Sequence, residues 1–154
     1  MQQPDSLNQV AEFHTTFKHP IVAEPAIPSE ERSRLRVALL AEELKELEVA
    51  ILEKDIVEVA DALCDLQYVL SGAVLEFGLG EKFKMLFDEV QRSNMSKACS
   101  TLEEAEATVA HYQAKGTDCY FKEDNGKYLV YRTSDDKTLK NINYSPADLA
   151  SIIG

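Results

Sequence analysis

Between Glu42 and Asp65 the chain carries nine acids against two lysines, Lys45 and Lys54, in 24 residues that are also among its most apolar. Leu40, Leu44, Leu47 and Ile51 recur at helical spacing before Lys54-Asp55. After it, Ile56, Val57, Val59, Leu63, Leu66, Val69, Leu70, Val74 and Leu75 make a second helix apolar nearly all round, a pattern expected of a helix buried on most sides. A chain with this stretch must fold as a tight helical hairpin and must also find something to do with its acids.

The periodicity says where those acids point. At about 100° per residue, with Leu40 at zero, Glu43 falls near −60° and Leu47 near −20°, and Leu39 and Ala50 flank Glu43 near −100° and −80°. Glu43 therefore sits among apolar neighbours on its own helix. Glu46, near −120°, borders that face, and Glu42, near 200°, lies away from it. On the second helix Glu58, Asp61 and Asp65 share one face, with the first two about 4.5 Å apart along the axis. No Lys or Arg occurs between Asp55 and Glu81 to pair with them.

Buried like charges are unfavourable by desolvation and by repulsion. Protonation, pairing with cations from other helices, or a bound metal would each relieve them. Two E-x-x-[ED] pairs on the inner faces of one hairpin favour the metal. All-oxygen donors suit Mg²⁺, with Mn²⁺ as a substitute, and phosphate oxygens would complete the shell. Taken singly, each acid is more often structural, and Asp55-x-x-Glu58 also reads as a capping box that would occupy Glu58. The joint pattern shifts the balance to the metal.

The rest of the chain is organised around this hairpin. Residues 5–18 have a helical pattern through Leu7, Val10, Phe13, His14 and Phe17. Three prolines make residues 19–28 an extended connector, and Ser29 is the expected N-cap of the helix that runs to about Glu53. The second long helix spans Ile56 to about Phe77, where Gly78-Leu-Gly80 ends it, and a fourth continues through about Met95. Ser100 and Thr101, with Glu103 and Glu104 three residues on, cap a short helix to Ala114. Asp124-Asn-Gly126 then joins two strands, and Ser145-Pro146 is expected to start a last short helix. The expected fold is mainly α: a four- to five-helix bundle over about 5–114 with a small β-hairpin appendage over about 117–154, in one domain.

A net charge of −11 argues against a nucleic-acid backbone as partner. Three widely spaced cysteines form neither a disulfide framework nor a zinc site. The polar N-terminus and the lack of an 18-residue apolar run imply a cytoplasmic protein with no membrane association.

Glu42-Glu43-Leu-Lys-Glu46, followed by Glu58-Val-Ala-Asp61, resembles the E-E-x-x-E…E-x-x-D signature of the all-α nucleoside triphosphate pyrophosphohydrolases. The likeness covers roughly residues 5–98 and is nearest to the MazG-like, phosphoribosyl-ATP-pyrophosphohydrolase-like branch. It is supported by Arg36-x-x-Leu-x-x-Glu-Glu43 and by Arg92-Ser-Asn94-Met-Ser-Lys97. The resemblance implies that Glu43, Glu46, Glu58 and Asp61 hold Mg²⁺ and that Glu42 orients or deprotonates the attacking water. It also implies that Asn94 and Lys97 hold nucleotide phosphate or sugar, with Lys140 and Tyr144 reaching phosphates. The implied reaction cuts between the α and β phosphates, giving a monophosphate and pyrophosphate. The family's members are dimers or tetramers, and the apolar surface of helix 56–77 agrees with a homo-oligomer. This chain departs from the pattern in having only eleven residues between Glu46 and Glu58, and in its C-terminal hairpin.

Two other readings compete. A di-iron bundle needs Glu-x-x-His motifs, and none of His14, His19 or His111 has one. The other is a non-catalytic nucleotide-binding or regulatory module on the same bundle. An EF-hand at Asp124-Asn-Gly126 is excluded by the missing alternating ligands and closing Glu. Tyr120, Phe121, Tyr128 and Tyr131 fit hairpin core better than a base-stacking surface.

Overall fold

The computed structural model describes Gln2 and residues 4–154. These fall into two compact units, Met1–Phe83 and Lys84–Gly154. The chain is mainly α with one two-stranded antiparallel hairpin and a short C-terminal helix, the all-α fold expected from its pattern.

The first unit holds α1 (Ser6–Phe17), α2 (Glu30–Glu53) and α3 (Ile56–Glu76). The Ser29 side chain accepts from the Arg32 N–H at the start of α2. At the far end Lys54 turns left-handed (φ 60°) while its N–H closes on the carbonyls of Ala50 and Ile51. Asp55 then caps α3 by accepting from the N–H groups of Val57 and Glu58. Two residues thus reverse the chain and lay α3 back along α2, and α1 packs on α3 as well. The proline-rich connector runs beside the end of α3, where Val22 donates to the Leu75 carbonyl at 3.0 Å and Ala26 to that of Phe77 at 3.1 Å. Gly78 (φ 68°) permits this approach, because a Cβ there would lie 1.9 Å from the Glu24 carbonyl oxygen.

Burial of α3 differs from the expectation of a helix covered on most sides. Its last turns, Ser71, Gly72 and Val74–Glu76, are buried, but Ile56 is 76% exposed, Val57 70% and Leu63 51%. The stripe of α2 is likewise open at Leu44 and Ile51, which with Ala41, Leu47 and Leu52 line an apolar groove. Three helices are too few to surround a helix that is apolar on every side.

The second unit holds α4 (Phe83–Met95, its first residue belonging to the first unit), α5 (Leu102–Gln113), β1 (Cys119–Asp124), β2 (Lys127–Arg132) and α6 (Ala150–Ile153). Asn125 and Gly126, both at positive φ, turn the hairpin so that Asp124 faces Lys127 and Phe121 faces Val130. One face of the hairpin packs on α5 around Cys99, Ala105, Cys119, Val130 and Leu139. Thr101 caps α5 by accepting from the Glu104 N–H, and the Glu104 carboxylate accepts from the Ser100 N–H in return. The last helix begins at Ala150, not at Ser145. Arg92 claims the earlier segment, donating to the Ser145 hydroxyl at 2.9 Å and the Pro146 carbonyl at 3.0 Å, while Glu89 accepts from the Asp148 N–H.

Candidate metal and nucleotide site

In the first unit the hairpin brings the acids of α2 to those of α3. Glu43 is half-buried, whereas Glu42, Glu46, Glu58, Asp61 and Asp65 are exposed. The Glu43 carboxyl is pushed above its ordinary value, first by burial and then by the charges of Asp65, Glu46, Glu42 and Asp61. These five carboxylates therefore share one field. Glu58 joins them through Glu46, since both line one open depression with Val49, Ala50 and Glu53. Among the described residues none of the six makes an ion pair; the nearby Lys45 is bonded to Glu48 at 2.7 Å.

The capping alternative for Glu58 is resolved by Asp55, whose N–H bonds to the Ala50 carbonyl at 3.1 Å and so needs nothing from the Glu58 side chain. Among the described residues no three His, Cys, Asp or Glu side chains close on a single point as a ready ligand set. The donor set nonetheless fits a hard dication, being wholly carboxylate, drawn from two facing helices and, among the described residues, in no ion pair, the Lys45 that borders the depression being bonded to Glu48. Asp65 is the addition of the structure: the sequence put it on the right face, and only the pairing of the helices reveals it as the charge acting most on Glu43.

Beyond the acids lies a buried polar network that periodicity did not reveal. Glu76, 1% exposed, accepts from Arg32 and from Arg36. Burial pushes its carboxyl up, but hydrogen bonds from Arg36 and Arg32 outweigh this and leave it below its ordinary value. Arg36 also reaches Nε2 of His14 at 3.3 Å, and Nδ1 of His14 lies 2.8 Å from the Pro20 carbonyl. The carbonyl makes Nδ1 the protonated nitrogen, so Nε2 accepts from Arg36. Burial lowers the pKa of His14, against the pull of the Pro20 carbonyl, with the Arg36 charge adding to the fall. Arg36 carried a sequence signal as part of the family-like segment and His14 as part of the helical pattern of residues 5–18, whereas Arg32 and Glu76 carried none.

In the second unit the four expected nucleotide contacts gather in two pairs. Lys97 donates to the Asn94 side chain at 2.8 Å, and the ammonium of Lys140 sits 4.3 Å from the centre of the Tyr144 ring. The Tyr144 hydroxyl is bonded to that of Ser93 at 2.7 Å, and Asn141 donates to the Ala98 carbonyl. The end of α4 and the 140–146 segment are thereby joined. Lys140 and Tyr144 border an open depression with His111 and Tyr112.

A model of the phosphoribosyl-ATP pyrophosphohydrolase family matches residues 10–94. The chain is also 37% identical over 62 residues to an uncharacterized protein, L479, of Acanthamoeba polyphaga mimivirus. That alignment takes in 36% of this chain and 25% of the viral protein, so the chain spans about a quarter of the length of that relative.

Proposed function

The chain belongs to the phosphoribosyl-ATP pyrophosphohydrolase family, and from that premise we propose that it hydrolyses the α–β phosphoanhydride of a nucleoside triphosphate, giving a monophosphate and pyrophosphate. The observation that carries this reading is the unpaired cluster around Glu43, five carboxylates in one field on two facing helices. Glu43, Glu46, Glu58 and Asp61 would hold Mg²⁺ or Mn²⁺, with Asp65 as a further oxygen donor. When bound, the metal neutralises phosphate charge and acidifies water, which makes an acidic surface acceptable to a polyanion.

The chain's own groups supply the rest. Glu42, on the rim of the cluster, would receive the proton of the attacking water. The water oxygen bonds to phosphorus, the bridging P–O bond breaks, and pyrophosphate leaves with its electron pair. Half-buried Glu43 anchors the cluster between the helices, where a fixed carboxylate costs little further ordering. Asn94, Lys97, Lys140 and Tyr144 are proposed as contacts to nucleotide phosphate or sugar within the second unit.

The open apolar surfaces of α2 and α3 support a homo-oligomer, the usual solution for exposed patches of this kind. The hydrolase reading is tested by pyrophosphate release from a panel of ribo- and deoxyribonucleoside triphosphates with Mg²⁺. Release that depends on the metal is the expected result; tight nucleotide binding with no release would assign the bundle to a non-catalytic binding module.

A further inference from the structure

The β-hairpin of the second unit has one closed edge and one open edge. Tyr128 donates to the Cys99 carbonyl at 2.9 Å and accepts from its N–H at 2.8 Å, Val130 accepts from the Leu139 N–H, and Arg132 donates to the Lys137 carbonyl. These residues of β2 turn their peptide groups away from β1. Orientation alternates along an antiparallel ladder, so Lys127, Leu129 and Tyr131 bond to their partners Asp124, Lys122 and Tyr120. Cys119, Phe121 and Glu123 are left with their peptide groups on the far side of β1. Among the described residues no backbone group bonds to that edge. The Asp118 carbonyl accepts from the Thr133 N–H at 3.0 Å, so the ladder runs on one residue before β1. Asp118 thereby joins Tyr120 and Lys122 on the face turned from α5.

An open edge is a template for another strand, and a lysine on it ordinarily blocks pairing with a second copy. Here the register decides. Antiparallel pairing about a two-fold axis must set edge-facing residues opposite edge-facing residues, so the axis falls on a residue of the strand. At Phe121 it sets Asp118 against Asp124 on both sides. At Lys122 or Glu123 a residue meets its own like charge. At Cys119 the pairing runs into Gly116, whose φ of 76° ends the strand. An axis at Tyr120 has none of these faults: Asp118 meets Lys122 on both sides, and the two Tyr120 rings face each other. On the other face Cys119 meets Phe121, which extends the apolar core that already holds Cys119 and packs Phe121 against it.

The charges needed are available. Lys122 lies 5.3 Å from the centre of the Tyr120 ring and 5.9 Å from that of Tyr131. Among the described residues neither Lys122 nor Asp118 is in an ion pair. We propose that β1 pairs with β1 of a second copy about a two-fold axis at Tyr120, joining two hairpins into one four-stranded antiparallel sheet. Cys119 and Phe121 exchange backbone hydrogen bonds on each side of the axis, and the Asp118–Lys122 pairs flank it. This contact lies wholly in the second unit, separate from the open surfaces of α2 and α3, and stands whether or not the chain hydrolyses nucleotides.

The symmetry gives the test, because each substitution acts twice. Lys122→Asp sets aspartate against Asp118, and Asp118→Lys sets lysine against Lys122. Each should raise the dissociation constant of the contact about 30-fold. In sedimentation of the full chain, each should halve the mass of the native assembly, whatever the α2 and α3 surfaces contribute. The double variant, Asp118→Lys with Lys122→Asp, restores both pairs and should return the native mass. A merely structural role for either residue would not produce that rescue. The axis is located separately in chains carrying Cys64→Ser. Residues opposite each other in a non-hydrogen-bonded pair have Cα atoms about 4.5 Å apart, within disulfide reach. Tyr120→Cys should therefore give a covalent dimer on oxidation by diamide. Asp124→Cys, about 27 Å from its copy across the same axis, should not. Native mass in both single variants, a double variant that stays dissociated, or cross-linking no faster at Tyr120→Cys than at Asp124→Cys would overturn the pairing.

Discussion

A Cβ built on Gly72 would lie 2.7 Å from Nη1 of Arg36 and 3.0 Å from Nε2 of His14. The bare backbone of α3 at this point is what lets Arg36 of α2 cross to His14 and to Glu76, one turn further along α3. Alanine favours a helix by about 1 kcal/mol over glycine, but overpacking a buried contact costs about 2 kcal/mol. Gly72→Ala is therefore expected to lower unfolding free energy in urea by about 1 kcal/mol. A more stable variant would show that the guanidinium yields freely.

Glu76 answers two guanidiniums from inside the first unit. Glu76→Gln removes the charge and leaves Arg36 buried beside a neutral amide. Breaking a buried pair from one side costs about 3 kcal/mol, and equilibrium unfolding should register a loss of that order. A variant as stable as the native chain would mean that the arginines find water instead.

Glu43→Gln and Asp61→Asn should reduce pyrophosphate release to background while leaving the far-UV circular dichroism intact. Asp65→Asn should also lower it, though it lies outside the family signature. Glu43 adds a sign that can be checked without substrate. Its folded pKa is raised, so its contribution to stability is present below the unfolded value and is lost as pH rises through the folded one. At neutral pH without metal, Glu43→Gln should melt higher than the native chain, and Mg²⁺ should raise the melting temperature of the native chain more than that of the variant. The opposite order would contradict the crowding of these carboxylates.

The Glu89 carboxyl is held down to about 2, first by hydrogen bonds from Arg92 and then by the Asp148 N–H. A depressed carboxyl contributes stability that is present above its unfolded value, 4.5, and is lost as pH falls toward the folded one. Residues 145–148 should stay docked on α4 down to about pH 4.5 and release below it, toward pH 2. The amide shift of Asp148 would follow this directly. In Glu89→Gln that titration should vanish.

The exposed apolar residues Leu52 and Ile56, at the turn end of the hairpin, offer a test of assembly. Sedimentation of the native chain should give a dimer or tetramer, and Leu52→Lys with Ile56→Asp should shift it toward the monomer. A monomeric native chain would refute the proposed homo-oligomer.

Much of the local structure was legible because its signals are local. Ser29 and Asp55 cap where their side chains can reach the first free N–H groups, Asn125-Gly126 turns the hairpin, and Thr101 with Glu104 closes the start of α5. Ser145 departs from its local signal for the same reason: Ser-Pro is a helix start unless a distant partner claims the serine, and Arg92 does, 53 residues away. The acids were legible as faces, since helical periodicity fixes direction around an axis. That Asp65 weighs most on Glu43 depends on the register of one helix against the other.

By itself the sequence determined the helices, their caps, the hairpin turn and the placing of Glu43, Glu46, Glu58 and Asp61 on two adjacent helices, because residue type and spacing act over a few residues. Only the tertiary structure decided that α3 leaves Ile56, Val57 and Leu63 open while its last turns are buried, and that Glu76, Arg36 and His14 form one network. These depend on side chains up to 62 residues apart meeting in a space that no local pattern describes.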